Sequence, residues 1–310
     1  MNYDERLKFY LGDNFYNLNF NLKDYNDFKF IKDLFLNNDK YFHIYDKQLA
    51  LLLIKTNNYN KFFYFKRCDI ISPNQQHMLT LCKNRCENNN DSIILRCLNF
   101  DRHWFNYYNK PLDIPFHLKK NTIFWRGTTT GCSDHHSSII WRPRNINRFD
   151  FVKKWFNKNI NIDIGFSFIH RDWLKNEYQQ YVKGSVSISK FLINKYLISL
   201  EGNDKDSGLN WKLNSNSLVI MPRPRVTTWL METKLIPNYH YVLLNDDFSN
   251  LEEILIWCNN NQSKCIEIIK NANKYMEQFS NNILEEKLEN DVINKYFDII
   301  RIKILESNIN

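Results

Sequence analysis

Several short stretches of this sequence combine residue types at spacings that can do chemistry. Arg126-Gly127-Thr128-Thr129-Thr130-Gly131 sets a guanidinium beside glycines and consecutive hydroxyls. Backbone amides bared by glycine, with hydroxyls beside them, can hold phosphate oxygens, and an arginine can fork onto the same group. The pattern is neither a Walker loop nor a dinucleotide fingerprint; a surface turn with Arg126 in a salt bridge fits it equally. Asp204-Lys205-Asp206 brings hard carboxylates close enough to share a divalent ion on a diphosphate. The same aspartates, with Ser207 and a helical segment after them, also suit a helix cap. Asp101-Arg102-His103-Trp104 follows a predicted strand and offers a carboxylate as general base, or an Asp–Arg structural ion pair. Asp69 stands in the same position after an earlier strand. Trp229 and Glu232 share one face if their segment is helical. Pointed at a crevice, that face can stack on and hydrogen-bond a ribose or sugar; the alternative is core packing for Trp229 and a solvated Glu232.

These residues need a framework that gathers them, and residues 195–253 supply one. Short apolar runs at 196–200, 218–221 and 241–244, bounded by Gly, Pro, Asn or Asp, predict strands. Helical spacing lies between them at 209–216 and 227–235. Ser249-Asn250-Leu251-Glu252 predicts a capping box that opens a further helix. Strand–helix alternation implies βαβ units and a parallel sheet. Open parallel sheets bind ligands beyond the carboxyl ends of their strands. Glu201, Gly202, Asn203 and on to Asp206, then Arg223 and Arg225, then Asn245 to Asp247, are therefore the expected lining. Upstream, the pattern predicts a strand at 122–125 leading into the Arg126 loop, a helix at 149–157, a strand at 160–164 and helices at 173–182 and 188–195. Earlier still, 7–10, 28–35 and 48–54 have helical spacing, 62–65 reads as strand, 75–85 as helix and 92–98 as strand. After residue 253 the pattern stays helical. Every glycine but Gly12 lies after residue 120, so the second half is where backbone must turn tightly and approach a ligand.

At 310 residues the chain suits one large or two ordinary domains, and 43% hydrophobic residues are ample for packed cores. No stretch predicts a transmembrane helix. The N-terminus lacks a signal-peptide pattern, and no lipidation signal closes the chain. A cytoplasmic location without a membrane span is the expectation. The cysteines Cys68, Cys82, Cys86, Cys97, Cys132, Cys258 and Cys265 are odd in number and scattered, which predicts reduced thiols in place of a disulfide framework. Cys82-x-x-x-Cys86 lacks the second pair that a zinc site needs. The net charge is +8, and part of the positive charge clusters at Lys119, Lys120, Arg126, Arg142, Arg144, Arg148, Lys153 and Lys154. Such a cluster suits nucleic acid, an anionic membrane or a phosphorylated small ligand. No nucleic-acid-binding motif accompanies it, so the small anion is favoured and no nucleic-acid partner is expected.

Taken together, FWRGTTTG, YLISLEGND, NSLVIMPRP, W-x-x-E-x-x-L-I-P-x-x-H-Y-V and DDFSNLEE, in that order between about Asp101 and Phe279, resemble glycosyltransferase family 90. This is the capsule-associated group that includes protein O-glucosyltransferases and capsule xylosyltransferases. It has bacterial and giant-virus members, and the Asn-, Ile- and Lys-rich composition suits the latter. The resemblance implies an α/β fold of GT-B type, with two Rossmann-like domains built on parallel sheets. The acceptor-side domain would be residues 1–118, the UDP-sugar-binding domain 119–283, and a C-terminal helix at about 284–310 would cross back. It implies inverting, metal-independent transfer of a sugar, glucose or xylose, from a UDP-sugar to a hydroxyl of a glycan or protein, with no cofactor. Donor contacts carry over to Arg126, Gly127, Thr128 and Thr129, with Arg148, Trp229 and Glu232; Gly131, Glu201, Gly202 and Asn203 join them as strand-end lining. The helix start at 207–209 would add its dipole. In animal members an arginine before the S-L-V-type strand contacts the diphosphate; that place falls here on Asn210, with Lys212 the nearest cation. The catalytic base is expected in the N-terminal domain, with Asp101 the first candidate and Asp69 the second. Three other readings stay open: a non-catalytic relative that binds a UDP-sugar or glycan, a metal-dependent transferase using Asp204 and Asp206, and a nucleic-acid binder using the basic cluster.

Overall fold

The computed structural model describes residues 1–13, 15, 29–36, 44–66, 79–86, 91–99, 112–131 and 147–309. The chain divides into two units. One comprises Met1–Asp101, Thr227–Trp229 and Asn281–Asn310; the other comprises Arg102–Val226 and Leu230–Ser280.

The first unit opens with α1 (Tyr3–Leu11), α2 (Ile31–Leu36) and α3 (Ile44–Lys55), followed by the short strands β1 (Tyr64–Phe65), β2 (Thr80–Cys82), β3 (Arg85–Cys86) and β4 (Ile93–Ile94). A capping box starts α1: the Asn2 side chain accepts from the Glu5 amide, and the Glu5 carboxylate accepts from the Asn2 amide, each at 2.9 Å. Strands β1, β2 and β4 form a parallel sheet in that order. Helical spacing predicts a helix over 75–85; the described part of it, from 79, is the two strands β2 and β3. Residues 80–82 are all buried, and a strand buried on both faces shows no period-2 alternation to distinguish it from a helix. The Cys82 thiol donates to the Ile93 carbonyl at 3.4 Å, and burial pushes it up to about 12, so it stays protonated at neutral pH. Cys82, Cys86, Cys97, Cys258 and Cys265 are free thiols.

The second unit runs through β5 (Lys120–Gly127), α4 (Arg148–Trp155), β6 (Ile162–Phe166), α5 (Lys175–Tyr178), α6 (Ile188–Leu192), β7 (Asn194–Ile198), α7 (Leu209–Leu213), β8 (Leu218–Met221), β10 (Val242–Leu243), α8 (Leu251–Asn260) and α9 (Gln262–Glu277), with the short β9 (Val226–Thr227) at its border. The expected parallel α/β sheet forms, in the order β10-β8-β7-β5-β6, with every pairing parallel. The chain leaves β5 toward β6 on one side and returns to β7 on the other. That places the topological switch point between β5 and β7. Alternation along β5 sends Ile123 and Trp125 into a core with Phe149, Val152, Ile268 and Ile269. Phe124 joins Leu197, Phe191, Leu192 and Trp211 in another. Each such side chain removed from water contributes about 1.5–3 kcal/mol, and helices are held to both faces of the sheet.

The chain closes with α10 (Asn282–Ile309), which belongs to the first unit. Glu285 pairs with Arg6 at 2.6 Å, Tyr3 donates to Asp291 at 2.5 Å, Asn58 donates to Asn294 at 3.0 Å, and the Tyr64 amide donates to the Tyr296 hydroxyl at 2.9 Å. No described helix is long and apolar enough to cross a membrane.

Two local expectations do not hold. No α-helix forms at 227–235: β9 is followed by a turn in which Met231 takes φ 55°, then by a 3-10 turn at Glu232–Lys234. Trp229, Leu230 and Met231 are all fully buried, and consecutive burial in a loop imitates helical spacing. The capping box at 249–252 is also absent. Asn250 precedes α8, but its side chain accepts from the Asn245 amide at 2.8 Å, while the Ser249 amide donates to Asp247 at 3.0 Å.

Candidate functional site

The loops that leave β5 and β7 meet at the switch point and are stitched together by named contacts. Arg148, the first residue of α4, is buried. It donates to the Thr130 hydroxyl at 2.8 Å, the Thr128 carbonyl at 3.3 Å and the Leu200 carbonyl at 2.9 Å. The Gly131 amide donates to the Asn203 side chain at 3.1 Å. Gly131 sits at φ +98°, and a Cβ there would stand 3.2 Å from the Gly202 carbonyl oxygen. A Cβ on Gly202 would stand 2.9 Å from the Arg148 guanidinium. Glycine at both positions is what lets the backbones touch. Thr129 accepts from the His170 amide at 2.8 Å, and Thr128 and Thr130 share a hydrogen bond of 3.1 Å. The threonines thus build the wall itself.

Beside Leu200 lies a cavity whose lining includes Asn147, Glu201, Lys205, Asp206, Arg223 and Glu232. Lys205 and Glu232 are only 3% and 1% exposed, and the ammonium lies 3.8 Å from the carboxylate. Arg223 is exposed and makes no hydrogen bond or ion pair with the described residues. Glu201 accepts from the amides of Arg225 at 2.8 Å and Val226 at 2.9 Å, which fixes the segment that carries Arg223. Asn147 caps α4 by accepting from the Asp150 amide at 2.8 Å.

Several residues singled out in the sequence make contacts with their own neighbours. Arg126 lies on the Phe124 face of β5, its guanidinium 4.6 Å from that ring. It pairs with Asp163 at 2.8 Å and donates to the carbonyls of Trp125 and Asp163. Lys183 joins the same carboxylate at 2.9 Å. Burial would raise the Asp163 carboxyl, but Lys183 and Arg126 outweigh it and hold it below its ordinary value. Of the two readings of Arg126, the salt bridge is the one that forms. Gly127 packs on its own neighbour, since a Cβ there would meet the Trp125 ring at 2.5 Å.

The Asp204–Asp206 pair divides as well. Asp206 accepts from Ser199 and from the Gly208 amide, each at 2.9 Å, and from the Lys212 ammonium. The Leu209 amide donates to the Asp206 carbonyl at 3.1 Å. The amides at the start of α7 are therefore turned onto Asp206, which anchors the turn. Burial raises the Asp206 carboxyl, and the Lys212 charge and hydrogen bond reverse this to a net lowering. Lys212 is itself lowered by burial, which its partner only partly offsets. It is committed to Asp206 and to the Ile198 carbonyl at 3.0 Å. Asn210 is 1% exposed, and neither it nor Lys212 lines the cavity. No group of three or more His, Cys, Asp or Glu among the described residues is gathered to hold a metal ion.

Trp229 and Glu232 part company because Met231 between them turns left-handed. Trp229 is fully buried in the first unit, stacked on Tyr10 at 3.6 Å, its indole N–H donating to Glu285 at 2.5 Å. Glu232 belongs to the second unit and lines the cavity. His240 accepts from the Ile236 amide at 2.9 Å and structures that turn. Among the described residues of the basic cluster, Lys119 is buried on Asp113, Lys153 pairs with Glu177 at 2.6 Å, and Lys154 donates to the Asp247 carbonyl at 2.8 Å. Asp101, Asp69, Arg142 and Arg144 lie outside the described residues. Sequence reasoning passed over Lys205, which reads as a spacer between acids, and Asn147, although Asn147 and Asp150 carry a legible cap signal.

The chain is 34% identical over 212 residues to O-glucosyltransferase LpsA of Dichelobacter nodosus, an alignment spanning 68% of this chain and 59% of that protein. It is 22% identical over 212 residues to uncharacterized protein 179R of Invertebrate iridescent virus 6, spanning 62% of this chain and 18% of that one. The chain thus covers less than two thirds of either relative's length. Residues 109–304, which include the whole β5–β10 sheet and its cavity, match the sequence model of glycosyl transferase family 90, and the chain belongs to that family.

Proposed function

We propose that the chain is an inverting, metal-independent glycosyltransferase that moves a sugar, glucose or xylose, from a UDP-sugar to a hydroxyl of a glycan or protein acceptor. The cavity at the β5–β7 switch point is the donor site. The observation that carries this reading is its lining: cations at Lys205 and Arg223 beside the buried Glu232 carboxylate, at the carboxyl ends of a parallel sheet. Cations suit a diphosphate, and a buried carboxylate suits the hydroxyls of a ribose or sugar. Family membership and likeness to a protein named as an O-glucosyltransferase support the same reaction.

In this reading the architecture is GT-B. The acceptor side is residues 1–118 with the C-terminal helix from about 284, the donor side is 119–283, and the protein works in the cytoplasm. The acceptor hydroxyl attacks C1 of the donor sugar from the face opposite UDP. Its proton passes to the Asp101 carboxylate, with Asp69 the second candidate. The bond from C1 to the β-phosphate oxygen breaks, its electron pair leaves with UDP, and the anomeric configuration inverts. Fixed cations on the cavity lining meet the charge that develops on the diphosphate, with Arg148 holding the neighbouring loops together. The engagement of Asp206 by Lys212, Ser199 and Gly208 supports a cation-based site over a metal shared with Asp204. The test is product stereochemistry: with a UDP-α-sugar donor, NMR of the product should show a β-linkage. A retained α-linkage contradicts the mechanism.

A further inference from the structure

The carboxyl end of the second unit's sheet carries the cavity; the amino end carries an apolar and basic face that the reaction does not use. Register places its parts. Ile123 stands across from Ile162 and from Tyr196, Lys120 across from Asn194, and Tyr196 across from Leu218. The residues just before β5, β6, β7 and β8 therefore share one end of the sheet. The segment before β5 is tied to it: the Asn216 amide donates to the Asp113 carboxylate at 2.6 Å, and the Asn216 side chain to the Ile114 carbonyl at 3.2 Å. Four aliphatic side chains project there from two connections. Leu112 is fully exposed, Ile160 is 96% exposed, Leu118 63% and Ile114 40%. Single apolar residues scattered over a surface are ordinary, but four at one end form a patch of the kind that meets a partner. Lysines stand among them. Lys120, Lys158 and Lys190 are exposed and have no carboxylate partner among the described residues. The neighbouring acids are engaged: Asp113 with Lys119, Asp163 with Lys183 and Arg126, and Glu252 with the Asn159 side chain. The face therefore offers unpaired positive charge beside aliphatic tips. A side chain that is almost fully exposed stands clear of its neighbours, which suits insertion into a soft interface better than close packing on a rigid one.

We infer that this amino-terminal end of the sheet docks on an anionic lipid surface, with Ile160, Leu118 and the Leu112 segment in the headgroup–acyl boundary and the lysines on lipid phosphates. The two features add. Each aliphatic side chain contributes in proportion to the apolar area it removes from water, and each lysine gains from the negative surface potential. Binding of this kind is peripheral and reversible, and needs no helix that crosses the bilayer. Orientation follows from the fold. β5 has eight residues, so the carboxyl end of the sheet, with the cavity, stands roughly 25 Å from the lipid. The docking is independent of the donor-site reading, because it uses none of the residues that line the cavity.

The test is sedimentation of the full chain with vesicles of phosphatidylcholine alone and of phosphatidylcholine mixed equally with phosphatidylglycerol. The wild-type chain should sediment with the anionic vesicles and far less with the neutral ones, and added salt should weaken the binding. Leu118→Ser combined with Ile160→Ser should weaken binding to the anionic vesicles by about tenfold or more. Its melting temperature should not change, because both side chains already lie largely in water. Lys120→Gln, Lys158→Gln and Lys190→Gln together should remove the preference for phosphatidylglycerol, at about fivefold per lysine. Phe168→Ser, an exposed position just beyond the carboxyl end of β6, should change nothing. No sedimentation with either vesicle would overturn the docking. So would binding that ignores Leu118 and Ile160, since charge alone would then account for it. Analytical ultracentrifugation without lipid tests the other occupant: a dimer that disperses in the Leu118 and Ile160 double variant would assign the face to a second copy of the chain and overturn the lipid reading.

Discussion

A Cβ on Gly202 would stand 2.9 Å from the Arg148 guanidinium, the group that joins the loop after β5 to the loop after β7. Gly202→Ala must therefore push Arg148 off the Thr130 hydroxyl or the Leu200 carbonyl. We expect a destabilisation of about 1–3 kcal/mol from the forced shift, and a roughly tenfold weaker UDP affinity from the disturbed wall. Thermal melting and titration of the same variant check both. An unshifted melting temperature with normal affinity would show that the loops do not depend on this contact.

Arg126 should prove structural. Arg126→Ala removes the ion pair with Asp163 and the packing on Phe124, for an expected loss of about 1–2 kcal/mol. Because Lys183 also holds Asp163, Asp163→Asn should cost a similar amount. The double variant should lose less than the sum, with a coupling of about 0.5–1 kcal/mol. UDP affinity should stay within about threefold. A collapse of UDP affinity without a stability change would restore Arg126 to the donor site.

The contrast between Arg126 and Lys205 shows where the sequence is informative. The strand at 218–221 and its parallel neighbours follow from short apolar runs between breakers, because a buried parallel strand has a compositional signature that local sequence carries. The arrival of Gly202 and Asn203 beside the β5 loop follows from the strand-end rule. What the sequence hides is the direction of side chains. Alternation puts Arg126 with Phe124, away from the core that holds Trp125, and only the register against Asp163 reveals its partner. Lys205 gives no burial signal at all, since lysine in a polar loop is ordinarily solvated. Trp229 and Glu232 mislead for a different reason: one left-handed residue, Met231, cancels a helix that spacing suggests.

Acid should loosen the second unit through Asp206. Its folded-state value lies below the ordinary 3.8 because Lys212 outweighs burial. A carboxylate lowered on folding contributes stability that is fully present above its unfolded value and is lost as pH falls through the folded one. Lys212 acts at the other end: lowered from 10.5 by burial, it adds stability only as pH rises through the alkaline window between its two values. Melting temperatures between roughly pH 5 and pH 3 should fall more steeply in the wild-type chain than in Asp206→Asn. Parallel slopes would remove Asp206 from this role.

The proposed base can be tested without disturbing the donor site. Asp101→Asn should lower kcat by about 10²–10⁴-fold, the usual weight of a general base, while UDP titrates as in the wild-type chain. Asp69→Asn should lower it far less. The reverse ranking would exchange the two assignments, and full activity in both would leave neither as the proton acceptor.

The most direct measurement of the central claim is release of UDP from a panel of UDP-sugars that includes UDP-glucose and UDP-xylose, with an acceptor mixture and a chelator present throughout. The account predicts release from one or two donors in chelator, lost in Lys205→Met. Silence in chelator, with turnover restored by manganese, would contradict it and return Asp204 and Asp206 to the centre of the site.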